Sequence, residues 1–165
     1  MEELISKISS YNIFNNLLPG VLIAVIVSSS TSFNLILEEN VLGFFAYYFY
    51  GIIVSRVGSL VIEELIDKKL KLIKKRPYDE YIQASKKDED IKLLSEVNNT
   101  YRTLIAIPLL TLIALFVDFL VSKFSISNNA LIITFSVLLI ILFFFSYKKQ
   151  TKYISSRITK ANSIS

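Results

Sequence analysis

Four long stretches of this chain carry almost no charge, and that pattern restricts its fold more than any other feature. Residues 8–37 hold none, 40–62 only Arg56, 103–122 only Asp118, and 124–147 none. An α-helix crosses a bilayer's hydrocarbon core of ~30 Å with about 20 apolar residues. A helix at a water-facing surface would show a polar stripe every 3.6 residues. Residues 130–145 show almost none: only Thr134 and Ser136 interrupt the apolar run. The sequence therefore predicts an all-α integral membrane protein with four transmembrane helices. Pure apolarity at this level (53% of residues, mean hydropathy +0.53) exceeds that of ordinary soluble domains.

Composition removes most chemistry. No Cys and no His are present, so thiol catalysis, disulfides, imidazole triads and most transition-metal sites are excluded. Four glycines, Gly20, Gly43, Gly51 and Gly58, cannot build a phosphate-cradling loop. The expectation is a non-enzyme without catalytic residues, metal or cofactor.

Charge sets the orientation. Ten Lys/Arg lie in 63–102, five in the tail from Lys148, and one at Lys7; Lys123 alone lies in the opposite loops. Basic loops stay in the cytoplasm, so both termini are expected there, in a bacterial inner membrane. An acidic start, Glu2 and Glu3, argues that the first span is not a cleaved signal. Four regions follow: an interfacial helix and two spans in 1–62, a cytosolic helical hairpin in 63–102 extending helices 2 and 3, two spans in 103–147, and a basic tail in 148–165.

Residues 2–18 show an amphipathic pattern of Leu4, Ile8, Tyr11 and Phe14 or Leu18, followed by a bend at Pro19-Gly20. In 63–102, Ile62, Ile66, Leu70 and Ile73 form a stripe continuing the second span until Pro77 stops it. Asp88-Glu89-Asp90 suits the start of the next helix, and Ile91, Leu94, Val97 or Asn98, and Tyr101 form its stripe. Such a hairpin would project roughly 20 Å.

Ionisable residues inside a span point to function by default. Arg56 either snorkels to inner-leaflet phosphates or acts with Asp118 in conduction or packing. By depth the two do not meet; Asp118 is expected to accept from Tyr47 or Tyr48, to reach interfacial water, or to ring a pore mouth. Gly51, Ser55 and Ser59 recur every four residues, a spacing that lets membrane helices approach closely within one chain or between copies. The basic candidates for a ligand are Lys148, Lys149, Lys152 and Arg157 in the tail, and Lys74, Lys75 and Arg76 in the hairpin. They suit anionic lipid or a phosphate-rich ligand such as a nucleotide or oligonucleotide.

Several runs are distinctive for so apolar a chain. They are Ser9-Ser10-Tyr11-Asn12-Ile13-Phe14-Asn15-Asn16-Leu17-Leu18-Pro19-Gly20, Tyr48-Phe49-Tyr50-Gly51 with Ser55-Arg56-Val57-Gly58-Ser59, Ser95-Glu96-Val97-Asn98-Asn99-Thr100-Tyr101-Arg102, and Ser146-Tyr147-Lys148-Lys149-Gln150-Thr151. The sequence in these runs resembles small four-span bacterial membrane effectors of anti-phage defence, and among them the channel subunit of the Hailong system. That resemblance implies a homo-oligomeric ion channel, with DNA oligomers from a partner nucleotidyltransferase as its ligand. A tetramer is the expected assembly. The alternative from a different class is a non-conducting scaffold that recruits a cytosolic partner through 63–102.

Overall fold

The structure is a computed structural model and describes residues 13–162, the side chains of Phe14 and Lys68 excepted. The expected amphipathic stripe of Leu4, Ile8 and Tyr11 lies outside the described residues. Five α-helices form among them: α1 Leu18–Ser30, entered through a π-helical turn at Ile13–Leu17; α2 Asn40–Val57, continued by π-helical turns at Gly58–Ile62 and Glu64–Lys69; α3 Tyr78–Lys87; α4 Asp90–Phe124; and α5 Asn128–Asn162. Among the described residues, three helices, Asn40–Asp67, Asp90–Phe124 and Asn128–Asn162, are long and apolar enough to cross a membrane.

The first apolar stretch behaves differently from the others. Its helix, Asn15–Ser30, spans only about 24 Å by helical rise. It ends in the serine run, at Ser30. Ser29 Oγ donates to the Ile26 carbonyl at 3.0 Å, Ser30 Oγ bonds the same carbonyl, and Thr31 Oγ1 donates to that of Val27 at 2.7 Å. Thr111, Ser146 and Thr151 bond back in the same way inside α4 and α5, so these bonds alone do not end a helix. The chain then runs without helix from 31 to 39. Ser28 Oγ accepts the Leu35 N–H at 2.8 Å, and the Tyr47 hydroxyl meets the Leu37 N–H at 3.2 Å. Phe33 and Leu35 pack against the core.

α1 and α2 cross with their backbones in contact. A Cβ on Gly20 would lie 1.7 Å from the Tyr47 carbonyl oxygen, and one on Gly51 would lie 1.6 Å from that of Asn16. Pro19-Gly20 is thus part of a helix crossing, with Pro19 tolerated in the first helical turn. α4 closes the bundle, and Ile23, Val27, Val54, Ile62, Ala106 and Ile107 form the shared core. Pro108 sits inside α4. α5 lies to one side. Its most apolar window has no buried residue, and Phe143 meets Phe49 at a ring separation of 6.1 Å.

Two expectations for 63–102 need correction. The stripe through Leu70 and Ile73 does not continue α2: helix ends at Lys69, and Leu70–Ile73 are exposed. Lys71 adopts the left-handed region, φ 53°. A continuous helix would carry Lys75 about 18 Å beyond Glu63. By turning back, the chain places Lys75 Nζ 3.3 Å from Glu63 and 2.9 Å from Asp67. Pro77 precedes α3 instead of ending α2. In α4, Leu94, Val97 and Tyr101 are exposed, because hydrogen bonding and small side chains turn the Thr103–Ala106 face inward. Asp88 Oδ1 accepts the Asp90 N–H at 3.0 Å where α4 begins, as its acidic start predicts.

Candidate functional site

α2 leaves its apolar span through successive π turns, which insert extra residues and re-aim side chains. Ser59 and Glu63 stand one turn apart there. Gly58 admits the α4 backbone: a Cβ would meet the Arg102 carbonyl oxygen at 3.0 Å. That approach sets Arg102 beside Glu63. Arg102 Nη1 bonds Glu63 Oε2 at 2.5 Å. Lys149 on α5 reaches the same oxygen at 3.1 Å and donates to the Ser59 carbonyl at 2.7 Å and Oγ at 2.9 Å. Lys75 arrives from the turn after α2. One carboxylate, the first after the charge-poor stretch of α2, thus gathers cations from α4, α5 and the 70–77 segment.

The electrostatics follow from burial and charge count. Burial pushes the Glu63 carboxyl up, but Lys149, Lys75 and Arg102 together outweigh it and hold it below the ordinary carboxylate value. Burial pulls the Lys149 ammonium down; attraction to Glu63 offsets this only in part, because Arg102 and Lys75 repel it. Three cations, Lys75, Arg102 and Lys149, meet Glu63, and Lys75 also meets Asp67. Arg102 Nε is buried and has no hydrogen-bond partner among the described residues. Tyr rings extend the junction: Tyr78 packs on Tyr153 at 4.8 Å and on Tyr81 at 5.9 Å, while Lys149 lies 5.9 Å from the Tyr153 ring centre. α3 therefore rides on the basic extension of α5. Burial raises the Tyr153 hydroxyl above its ordinary value, and Glu63 adds to that.

A second polar cluster lies inside the bundle. Asn15 is 4% exposed. Its Nδ2 donates to Ser55 Oγ at 3.0 Å, and its Oδ1 accepts from Thr103 Oγ1 at 3.0 Å. Asn16 Nδ2 donates to the Tyr48 hydroxyl at 3.4 Å. These bonds join the turn before α1 to α2 and α4, in surroundings where few other partners compete.

The residues singled out from sequence scatter over several places. Gly51 seats the Asn16 backbone, Ser55 binds Asn15, and Ser59 binds Lys149, so all three seam positions face their own chain. Arg56 borders an open groove with Phe143, Ser146, Tyr147 and Gln150. Asp118 accepts from the Ser32 N–H at 3.3 Å and from Ser32 Oγ, not from Tyr47 or Tyr48. Lys148, Lys152, Arg157 and Lys74 are exposed, and Arg76 pairs with Glu80 at 3.7 Å. Lys75 and Lys149 alone of the basic candidates meet at Glu63. Sequence reasoning passed over Glu63, Arg102, Asn15 and Thr103 as site residues. Glu63 had one signal, being the first charge after an apolar span. Asn15, buried in the first charge-free stretch, had another. No group of three or more carboxylates suited to a metal forms among the described residues.

Searches of protein-family models, curated proteins and solved structures find no match to this chain.

Proposed function

We propose that this protein is the subunit of a homo-oligomeric membrane ion channel, a depolarising effector of bacterial anti-phage defence gated through its cytosolic segments. The carrying observation is the convergence on Glu63. A ligand that moves α3, the 70–77 turn or the tail of α5 acts on a carboxylate bonded to α4 and α5 at the membrane boundary. Motion outside the bilayer is thereby coupled to three membrane-crossing helices. The uncovered apolar length of α5 supports self-association, with lipid covering what a neighbouring copy does not. The likeness of the 9–20 and 95–102 runs to defence effectors supports the biological setting. It also supplies the ligand class: DNA oligomers made by a partner nucleotidyltransferase, met by Lys148, Lys152, Arg157 and Lys74.

Purified full-length protein in planar bilayers, with and without DNA oligomers, tests the proposal. Unitary currents that oligomers change are the expected result; silence under both conditions rejects it. A scaffold reading draws on one observation, the exposed Leu94, Val97 and Tyr101 on α4. If polar substitution there abolishes function while currents persist, recruitment is the activity.

A further inference from the structure

We propose that the groove between α2 and α5 holds the headgroup of an anionic phospholipid, with Arg56 as its principal ligand. The groove is open to its surroundings, has a volume of about 430 Å³ and is lined by Arg56, Phe143, Ser146, Tyr147 and Gln150. None of these five is acidic, so the lining itself offers the guanidinium no counterion. Arginine stays ionised in any environment a protein supplies, and a charge in this position is costly without an anion or water.

Depth favours a lipid. Arg56 precedes Glu63 by seven residues, roughly 10 Å inside the boundary that the ion cluster marks. On α5, Gln150 adjoins Lys149 and so shares the level of Glu63, whereas Phe143 lies about 9 Å deeper. The groove therefore grades from an amide and a phenol at the surface to an aromatic ring within. An arginine stem extends along that gradient toward the phosphate plane. Exposed Lys148 and Lys152 make the surface end more positive and favour anionic over zwitterionic headgroups. A soluble phosphate would satisfy Arg56 but leave the Phe143 end uncovered; acyl chains cover both. The occupant also explains how α5 stays beside α2 with so little side-chain packing along its apolar part.

Native mass spectrometry of the full chain in mild detergent tests this, using added phosphatidylglycerol, phosphatidylcholine and glycerol 3-phosphate. Retention of phosphatidylglycerol in clear preference to phosphatidylcholine is expected. Arg56→Gln should weaken phosphatidylglycerol binding about tenfold, the loss of one charge-assisted contact, with Arg56→Lys weakened less. Tyr147→Leu, at an exposed position, should weaken it too and gives a second measure should Arg56→Gln fail to fold. Equal retention of both lipids, undiminished retention by folded Arg56→Gln, or displacement by glycerol 3-phosphate overturns the proposal. The readout is bound mass, not current, so it stands or falls apart from channel activity.

Discussion

Glu63→Gln is the perturbation with the clearest calculable consequence. The substitution keeps the side chain's size and removes its charge. Lys149 and Arg102, 26% and 17% exposed, then lose the anion both contact, while Lys75 retains Asp67. Removing one partner of a fully buried pair costs about 3–5 kcal/mol, and an exposed pair is worth about 0–1 kcal/mol. The Glu63 side chain is 17% exposed, and Gln can still accept one hydrogen bond. The expected loss is therefore about 2–3 kcal/mol, intermediate between those limits. For a chain of this length that lowers the melting midpoint by roughly 4–12 °C. Thermal unfolding in detergent followed by circular dichroism measures it.

The pH dependence gives a second reading of the same group. Its folded-state pKa lies below the unfolded value. Its stabilisation is thus complete above the unfolded carboxylate pKa and lost as pH falls through the folded one. Wild-type stability should converge on that of Glu63→Gln as the medium is acidified past the ordinary carboxylate range. A double-mutant cycle with Lys149→Gln should show coupling of about 1 kcal/mol or more. Equal midpoints at neutral pH, or strictly additive effects, would refute the claim that the cluster binds α5 to the bundle.

Other substitutions probe the crossings and the polar contacts. Gly51→Ala places a methyl against the Asn16 carbonyl and should cost about 3 kcal/mol or more, since backbone cannot yield as a side chain does; a melting point within 2 °C of wild type, read against about 2–4 °C per kcal/mol, would contradict the close crossing. Asn15→Ala removes both bonds that tie α2 and α4 to the turn before α1, with an expected loss of about 1–2 kcal/mol by the same melts. Asp118→Asn, whose carboxylate accepts from exposed Ser32, should change stability by less than about 0.5 kcal/mol; under the channel proposal, an accompanying fall in cation-over-anion permeability would place it at a pore mouth, and unchanged reversal potentials would remove it from the pathway.

The amino-acid order alone determines that this chain is helical and lives in lipid. In lipid every backbone polar group must be satisfied by a helix or a closed barrel, and runs of this length without alternating polarity suit helices and not the short alternating strands of a barrel. It also marks the end of each run by its first charge, and it places the acidic start of α4. Tertiary structure decided which stretch stops short. Residues 8–37 are as uncharged as the others, yet helix ends at Ser30 and the chain beyond it folds back, with Phe33 and Leu35 on the core and the Leu37 N–H bonded to the Tyr47 hydroxyl. Periodicity likewise favoured a helix through Ile73, whereas the attraction of Lys75 to Glu63 and Asp67 depends on distance in space and has no signature in local spacing. Convergence of Arg102 and Lys149 on one carboxylate spans 39 and 86 positions of sequence. Such a site forms only when packing, through Gly58 and the π turns of α2, brings those positions together.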